Sequence, residues 1–251
     1  MSARAAIVTG ASRGIGYACA ERLAADGYAL LVCSRDAADI EQAAERLRAG
    51  GADVVALAAD VGVPADCERI VAACVEAHGH VDALVNNAAI YVARPFLDID
   101  PEHWDQTMAI DLRGPALLSV AVARRMRDRG QGGRIVHISS DNALKAELEY
   151  AAYNAAKAAL VSLTLSMAGE LGQYGIITNA VLPGWTRTRM TEAYLEEVSA
   201  EDVGRVIPLG RAADPSETAQ VVSFLCNPEV TYVLGQSISV DGGLLSTQPS
   251  P

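Results

Sequence analysis

Short, almost uniformly apolar runs alternate along this chain with helix-length amphipathic stretches, and that rhythm leaves few architectures open. The runs fall at 5–9, 29–33, 54–58, 83–86, 134–139, 176–182 and 237–240. A strand with one wet face alternates apolar and polar side chains; these do not, so both faces must be covered. Between them, helical patterns occupy 15–26, 37–49, 65–78, 102–128, 151–172 and 215–226. Strand and helix in turn build a parallel sheet with right-handed crossovers, a doubly wound α/β fold of the Rossmann type with about seven strands. No linker, composition break or repeat divides the sequence, so 1–251 reads as a single domain. Its main irregular stretch, 184–211, holds Trp185, Tyr194 and a run of acids; an insertion of this kind reads as a substrate lid.

Composition excludes several function classes. The formal charge of −11 opposes nucleic acid and anionic membranes as general partners. Apolar runs such as 29–33 are too short to span a bilayer, and no leader pattern opens the sequence, so a cytoplasmic location is expected. The five cysteines are scattered without a CxxC pair, which points to buried free thiols and to no metal site.

The first strand runs into Thr9-Gly10-Ala11-Ser12-Arg13-Gly14-Ile15-Gly16, and a helix follows. Glycines there let the backbone turn sharply and approach a pyrophosphate, which then rests on the helix N-terminus. The candidate phosphate contacts are Gly10, Ser12, Arg13, Gly14, Ile15 and Gly16. An acid at the end of the second strand binds the ribose hydroxyl of NAD, whereas a base accepts the 2′-phosphate of NADP. That strand ends Cys33-Ser34-Arg35-Asp36. Ser34 and Arg35 come first within reach, and Arg13 adds a second guanidinium, so NADP(H) is favoured over NAD(H). Asp36 is the competing cue, since a carboxylate folded onto the ribose would select NAD(H).

In the helix after the fifth strand, Tyr153 and Lys157 lie four residues apart and share a face. A free phenol, with a pKa of about 10, is a poor proton donor and acceptor at neutral pH, and a neighbouring ammonium favours its ionised form. With the glycine loop and this pair in order, the whole chain resembles the short-chain dehydrogenase/reductase family in its compact single-domain branch. Thr9–Gly16 is similar to the family's TGxxxGxG. Asp60 and Val61 match its adenine-contacting pair. Asn86, Asn87, Ala88 and Ala89 resemble its NNAG element, with Ala in the last place. Pro183, Gly184, Thr186 and Thr188 match a stretch that holds the nicotinamide amide. Gly235 through Gly243 resembles its C-terminal signature.

The resemblance implies a catalytic serine at the end of the fifth strand. Ser139 and Ser140 are both candidates, and the family's spacing of 13 residues before the tyrosine selects Ser140. It further implies that Ser140 polarises the substrate oxygen, that Tyr153 transfers the proton, and that Lys157 lowers the phenol pKa and grips the nicotinamide ribose. One departure stands out. Asp111 occupies the place of an asparagine that anchors a relay water, and the relay survives if the backbone carbonyl holds that water. The implied reaction interconverts a carbonyl and a secondary alcohol. A free small ketone, polyol, steroid or polyketide is favoured over a 3-oxoacyl thioester on an acyl carrier protein. An acidic carrier needs a basic dock; Arg124, Arg125, Arg127 and Arg129 offer one, but Gln173 and Tyr174 stand where carrier-protein reductases tend to have a base. Ile90, Tyr91, Arg94, Asn142, Leu144, Glu147, Trp185 and Tyr194 are expected around the substrate. A non-catalytic dinucleotide sensor is disfavoured because the serine, tyrosine and lysine are all present. A homotetramer, or a homodimer, is also implied, with the fourth and fifth helices pairing across one axis and the C-terminal segment across another.

Overall fold

The computed structural model describes residues 3–246. Seven strands form one parallel sheet: β1 (Arg4–Thr9), β2 (Tyr28–Ser34), β3 (Val54–Ala58), β4 (Ala83–Asn86), β5 (Gly133–Ile138), β6 (Ile176–Pro183) and β7 (Ser237–Val240), in the spatial order β3-β2-β1-β4-β5-β6-β7. The helices are α1 (Gly14–Ala25), α2 (Ala37–Ala49), α3 (Pro64–His78), α4 (Pro101–Met108), α5 (Gly114–Arg129), α6 (Ala151–Leu171), α7 (Glu192–Glu197), α8 (Ala200–Val206) and α9 (Pro215–Cys226). The order in which successive strands are added reverses at the β1–β4 boundary, and ligands of doubly wound sheets bind at the strand C-termini beside such a switch.

Side chains along a strand point alternately to opposite faces. Ala6, Val8, Leu30 and Val32 therefore enter one core, which α1, α2 and α9 close with Leu23, Ile40 and Val222. Ala5, Ile7, Leu31 and Cys33 enter the other, closed by α3 and α5 with Ile70, Leu118 and Met126. This two-sided burial is why the strand runs read as uniformly apolar, and each large aliphatic side chain removed from water contributes about 1.5–3 kcal/mol. The five cysteines are all buried and unpaired. No helix among the described residues is long and apolar enough to cross a membrane.

The single helix expected over 102–128 is interrupted. A π turn, Ala109–Arg113, separates α4 from α5, and Gly114 donates its N–H to the Ala109 carbonyl. Two residues explain the break. Pro115 has no N–H for the Asp111 carbonyl four residues back. A Cβ at Gly114 would collide with the Val61 carbonyl, so only glycine lets this backbone settle there. Sequence periodicity does not register one extra residue in a turn, and such bulges concentrate at functional sites. After β6, the irregular stretch carries the short helices α7 and α8; the side chain of Tyr194 lies outside the described residues, as does the chain after Ser246.

Candidate active site

A cleft of about 830 Å³ opens at the C-terminal ends of β1 to β4. Its floor is the glycine loop. Gly10 and Gly14 hold φ of 65° and 56°, a region that side chains with a Cβ avoid. A Cβ at Gly16 would collide with the Gly10 carbonyl and the Asn87 amide. Asn87 ties the loop to β4 by donating from Nδ2 to the carbonyls of Thr9 (2.9 Å) and Gly10 (3.2 Å). Arg13 precedes α1 without a side-chain cap, leaving first-turn N–H groups for an anion. A close, Cβ-free cradle of this kind fits a pyrophosphate.

Ser12, Arg13, Ile15, Ser34, Arg35, Asp60, Val61, Ala88 and Thr188 also line the cleft. Arg13 is not a free cation, since its Nη2 lies 2.9 Å from Asp39 Oδ2. Asp36 reaches the wall, but its carboxylate accepts the Asp39 N–H at 2.9 Å and caps α2. Asp60 accepts the Gly62 N–H at 2.8 Å and so shapes its own turn. Arg189 and Met190, which the sequence patterns did not single out, complete the rim. Four expected cofactor contacts, Pro183, Gly184, Tyr153 and Lys157, do not line this cleft, nor does Thr186. Gly184 packs on Asp241, and the buried Thr186 donates its hydroxyl to the Gly184 carbonyl at 3.0 Å.

Behind the wall formed by Ile90 and Ile110 sits a cluster from three elements. The π turn buries Asp111 completely, where Oδ1 accepts the Ile90 N–H at 2.9 Å. Its Oδ2 has no hydrogen-bond partner and lies 3.8 Å from Lys157 Nζ. On α6, Lys157 Nζ donates to the Ile138 carbonyl at 3.1 Å and lies 5.3 Å from the centre of the Tyr153 ring. The two serines differ. Ser139 donates to the Lys157 carbonyl at 2.9 Å, a backbone strut, whereas Ser140 donates to Asp141 Oδ1 at 3.0 Å and its side chain acts on the Tyr153 phenol.

Burial sets the charges here. It raises the Asp111 carboxyl to about 6, with Lys157 and the Ile90 N–H opposing the shift. It lowers the Lys157 ammonium, with Asp111 opposing. It also raises the Tyr153 phenol, and the Asp111 carboxylate adds to that rise while the Ser140 side chain opposes it. The expected lowering of the phenol by Lys157 is therefore reversed in the protein alone, because desolvation disfavours a phenolate at a buried site. The sequence spacing also missed Asn154 and Tyr150. Tyr150 stacks on Tyr91 with ring centres 3.8 Å apart, and Tyr91 meets Tyr153 edge-on at 4.9 Å. Their places, Tyr150 just ahead of α6 and Asn154 next to Tyr153, were the available signal.

The chain is similar along nearly its whole length to known oxidoreductases. Residues 10–245 match a family model described as enoyl-(acyl carrier protein) reductase. The L-rhamnose 1-dehydrogenase (NAD(P)(+)) of Azotobacter vinelandii is 41% identical over 95% of each chain. Human dehydrogenase/reductase SDR family member 4 is 36% identical over 96% of this chain and 87% of its own. An actinorhodin polyketide ketoreductase variant, solved with NADPH, superposes with a TM-score of 0.90 at 35% identity, covering 96% of this chain and 97% of that one. With a seven-stranded sheet in the same arrangement and matches along nearly its whole length, the chain belongs to the short-chain dehydrogenase/reductase family of nicotinamide-dependent oxidoreductases.

Proposed function

We propose that this protein is an NADP(H)-dependent oxidoreductase that interconverts a carbonyl and a secondary alcohol on a small free substrate. The observation that carries the reading is the meeting of Ser140, Tyr153, Lys157 and Asp111 behind a glycine-floored cleft. Backbone N–H groups of the loop bind the pyrophosphate, Ser34 and Arg35 take the 2′-phosphate, Asp60 and Val61 border the adenine, and Thr188 faces the nicotinamide end. When bound, the dinucleotide donates or accepts the hydride and, oxidised, brings a positive ring charge that favours phenolate. Ser140 hydrogen-bonds the substrate oxygen and stabilises charge developing there. Tyr153 donates its proton to that oxygen in reduction and takes it back in oxidation. Lys157, held by Asp111 and the Ile138 carbonyl, keeps a positive charge beside the phenol. A free substrate is favoured because Gln173 and Tyr174 stand where reductases acting on carrier proteins tend to have a basic residue. The irregular stretch over 184–211 serves as a lid on this reading. Assembly of copies through α5 and α6 belongs to it too, since Leu117, Val120 and Leu165 stand exposed there.

The test is a panel of small carbonyls and alcohols with NADPH or NADP, and NADH or NAD, followed by nicotinamide absorbance. Turnover of a free substrate is the expected result; absence of turnover throughout, with only a carrier-linked thioester reduced, overturns the reading.

Asp111 gives a second expectation. Asp111→Asn removes the carboxylate that helps hold Tyr153 neutral but keeps an acceptor for the Ile90 N–H. The rising limb of kcat/KM against pH for alcohol oxidation then shifts to lower pH, with the maximum changed only a few-fold. Both variants leave Lys157 buried without its charged partner, but Asp111→Leu also leaves the Ile90 N–H without an acceptor, which costs about a further 1–3 kcal/mol of stability and most of the activity. Superimposable pH profiles for wild type and Asp111→Asn would show that the carboxylate does not act on the phenol.

A further inference from the structure

Beside Ser140 and Tyr153, the segment between β5 and α6 builds a clamp around one carboxylate. Asn142 donates its backbone N–H to Ser140 Oγ at 3.1 Å. Its Nδ2 donates to Glu147 Oε2 at 3.0 Å and to Asn154 Oδ1 at 3.1 Å. Asn154 in turn donates from Nδ2 to the Glu147 carbonyl at 2.9 Å. Both the carboxylate and the backbone of Glu147 are thereby held. Two residues on, Glu149 adopts φ of 68°, left-handed for a residue with a Cβ, and its carbonyl accepts the Arg94 N–H at 2.7 Å. Non-glycine residues stay in that region only where the surroundings over-determine them, and such places cluster at ligand sites.

The clamped carboxylate is one side chain removed from each half of the proposed catalytic pair. Asn142 lies between it and Ser140, and Tyr91 lies between it and Tyr153. Burial, together with the Glu147 carboxylate, pushes the Tyr91 phenol up. The Glu147 charge also reaches Tyr153. An ionised carboxylate has about four lone-pair sites, and Asn142 uses one of them. An apolar substrate closing over this position would strip water from the rest without replacing its hydrogen bonds, a penalty that binding must absorb. An anionic substrate would meet Glu147 as a like charge, whereas Asp141 is paired with Lys145 at 3.2 Å. Neutral hydroxyl groups satisfy the open sites, and the stacked Tyr91 and Tyr150 rings offer a flat apolar surface for the C–H face of a saturated ring.

Building on the catalytic reading above, we propose that Glu147 binds substrate hydroxyl groups and that the substrate is a neutral polyhydroxylated molecule, a sugar or polyol. The experiment compares neutral aldoses and polyols, their deoxy analogues, size-matched apolar alcohols and ketones, and an amino sugar, in wild type, E147Q and E147A. Circular dichroism confirms folding of the variants. In wild type, a polyol is expected to exceed its best deoxy analogue and every apolar compound at least tenfold in kcat/KM. E147A is expected to raise KM for the polyol roughly 10- to 100-fold with a smaller change in kcat, and to collapse its advantage over the deoxy analogue toward one. E147Q, which keeps one acceptor, falls between. The proposal is overturned if an apolar compound or the amino sugar is the best substrate, if E147A affects polyol and deoxy analogue equally, or if nothing in the panel turns over. Y153F on the best substrate separates the two readings. Loss of turnover in Y153F with an unaltered E147A preference leaves the catalytic reading standing and removes this one.

Discussion

Tyr153→Phe is expected to lower kcat by about 10²–10⁴, the range that general acid–base groups contribute. The substitution deletes one hydroxyl and little else. The ring is 9% exposed and keeps its edge-on contact with Tyr91 at 4.9 Å, so the packing that positions α6 survives. Tyr153 does not line the dinucleotide cleft, so cofactor affinity measured by fluorescence should change little. Lys157, with Asp111 and the Ile138 carbonyl, keeps its partners and cannot substitute as the proton donor to a substrate on Ser140. Retention of more than about a tenth of kcat would remove Tyr153 from its proposed role, because even the low end of that range is a hundredfold.

The second large effect concerns the choice of cofactor. A 2′-phosphate carries nearly two negative charges, and charge-assisted hydrogen bonds to arginine contribute on the order of 2–4 kcal/mol to discrimination. That corresponds to roughly 30-fold to 1,000-fold in kcat/KM in favour of NADPH over NADH. Arg35 makes no ion pair among the described residues and lines the cleft, so it is the principal contributor. Arg13 must first release Asp39, an exposed pair worth only about 0–1 kcal/mol, so it can still turn toward a phosphate at little cost. Arg35→Ala is expected to erase much of the gap by weakening NADPH alone, and Ser34→Asp to reverse it by repelling the phosphate. Asp36 tests the opposing cue. Because its carboxylate caps α2, Asp36→Ala should cost about 1 kcal/mol of stability rather than damage NADH use. Steady-state kinetics with both cofactors decide the matter: an NADH preference in the wild type would refute the assignment of Ser34 and Arg35.

What was legible in the sequence is what depends on local repetition. Two-sided strand burial writes itself as runs such as Leu30-Leu31-Val32, and the parallel sheet follows because only crossover helices cover both faces. The glycine loop is equally local, since a tight turn into a helix needs its Cβ-free residues at fixed spacing. Tyr153 and Lys157 meet because one helical turn brings residues four apart together. Tertiary structure decided the rest, through contacts that no short window contains. Asp111 faces Lys157 only because the π turn and α6 are packed together across the end of the sheet, and burial there reversed the direction of the phenol's shift. The hold on Glu147 likewise arises from Asn142 and Asn154 closing on it from two elements. Periodicity reports which face of an element is buried; the free energy of a charged or polar group depends on what the other elements place beside it.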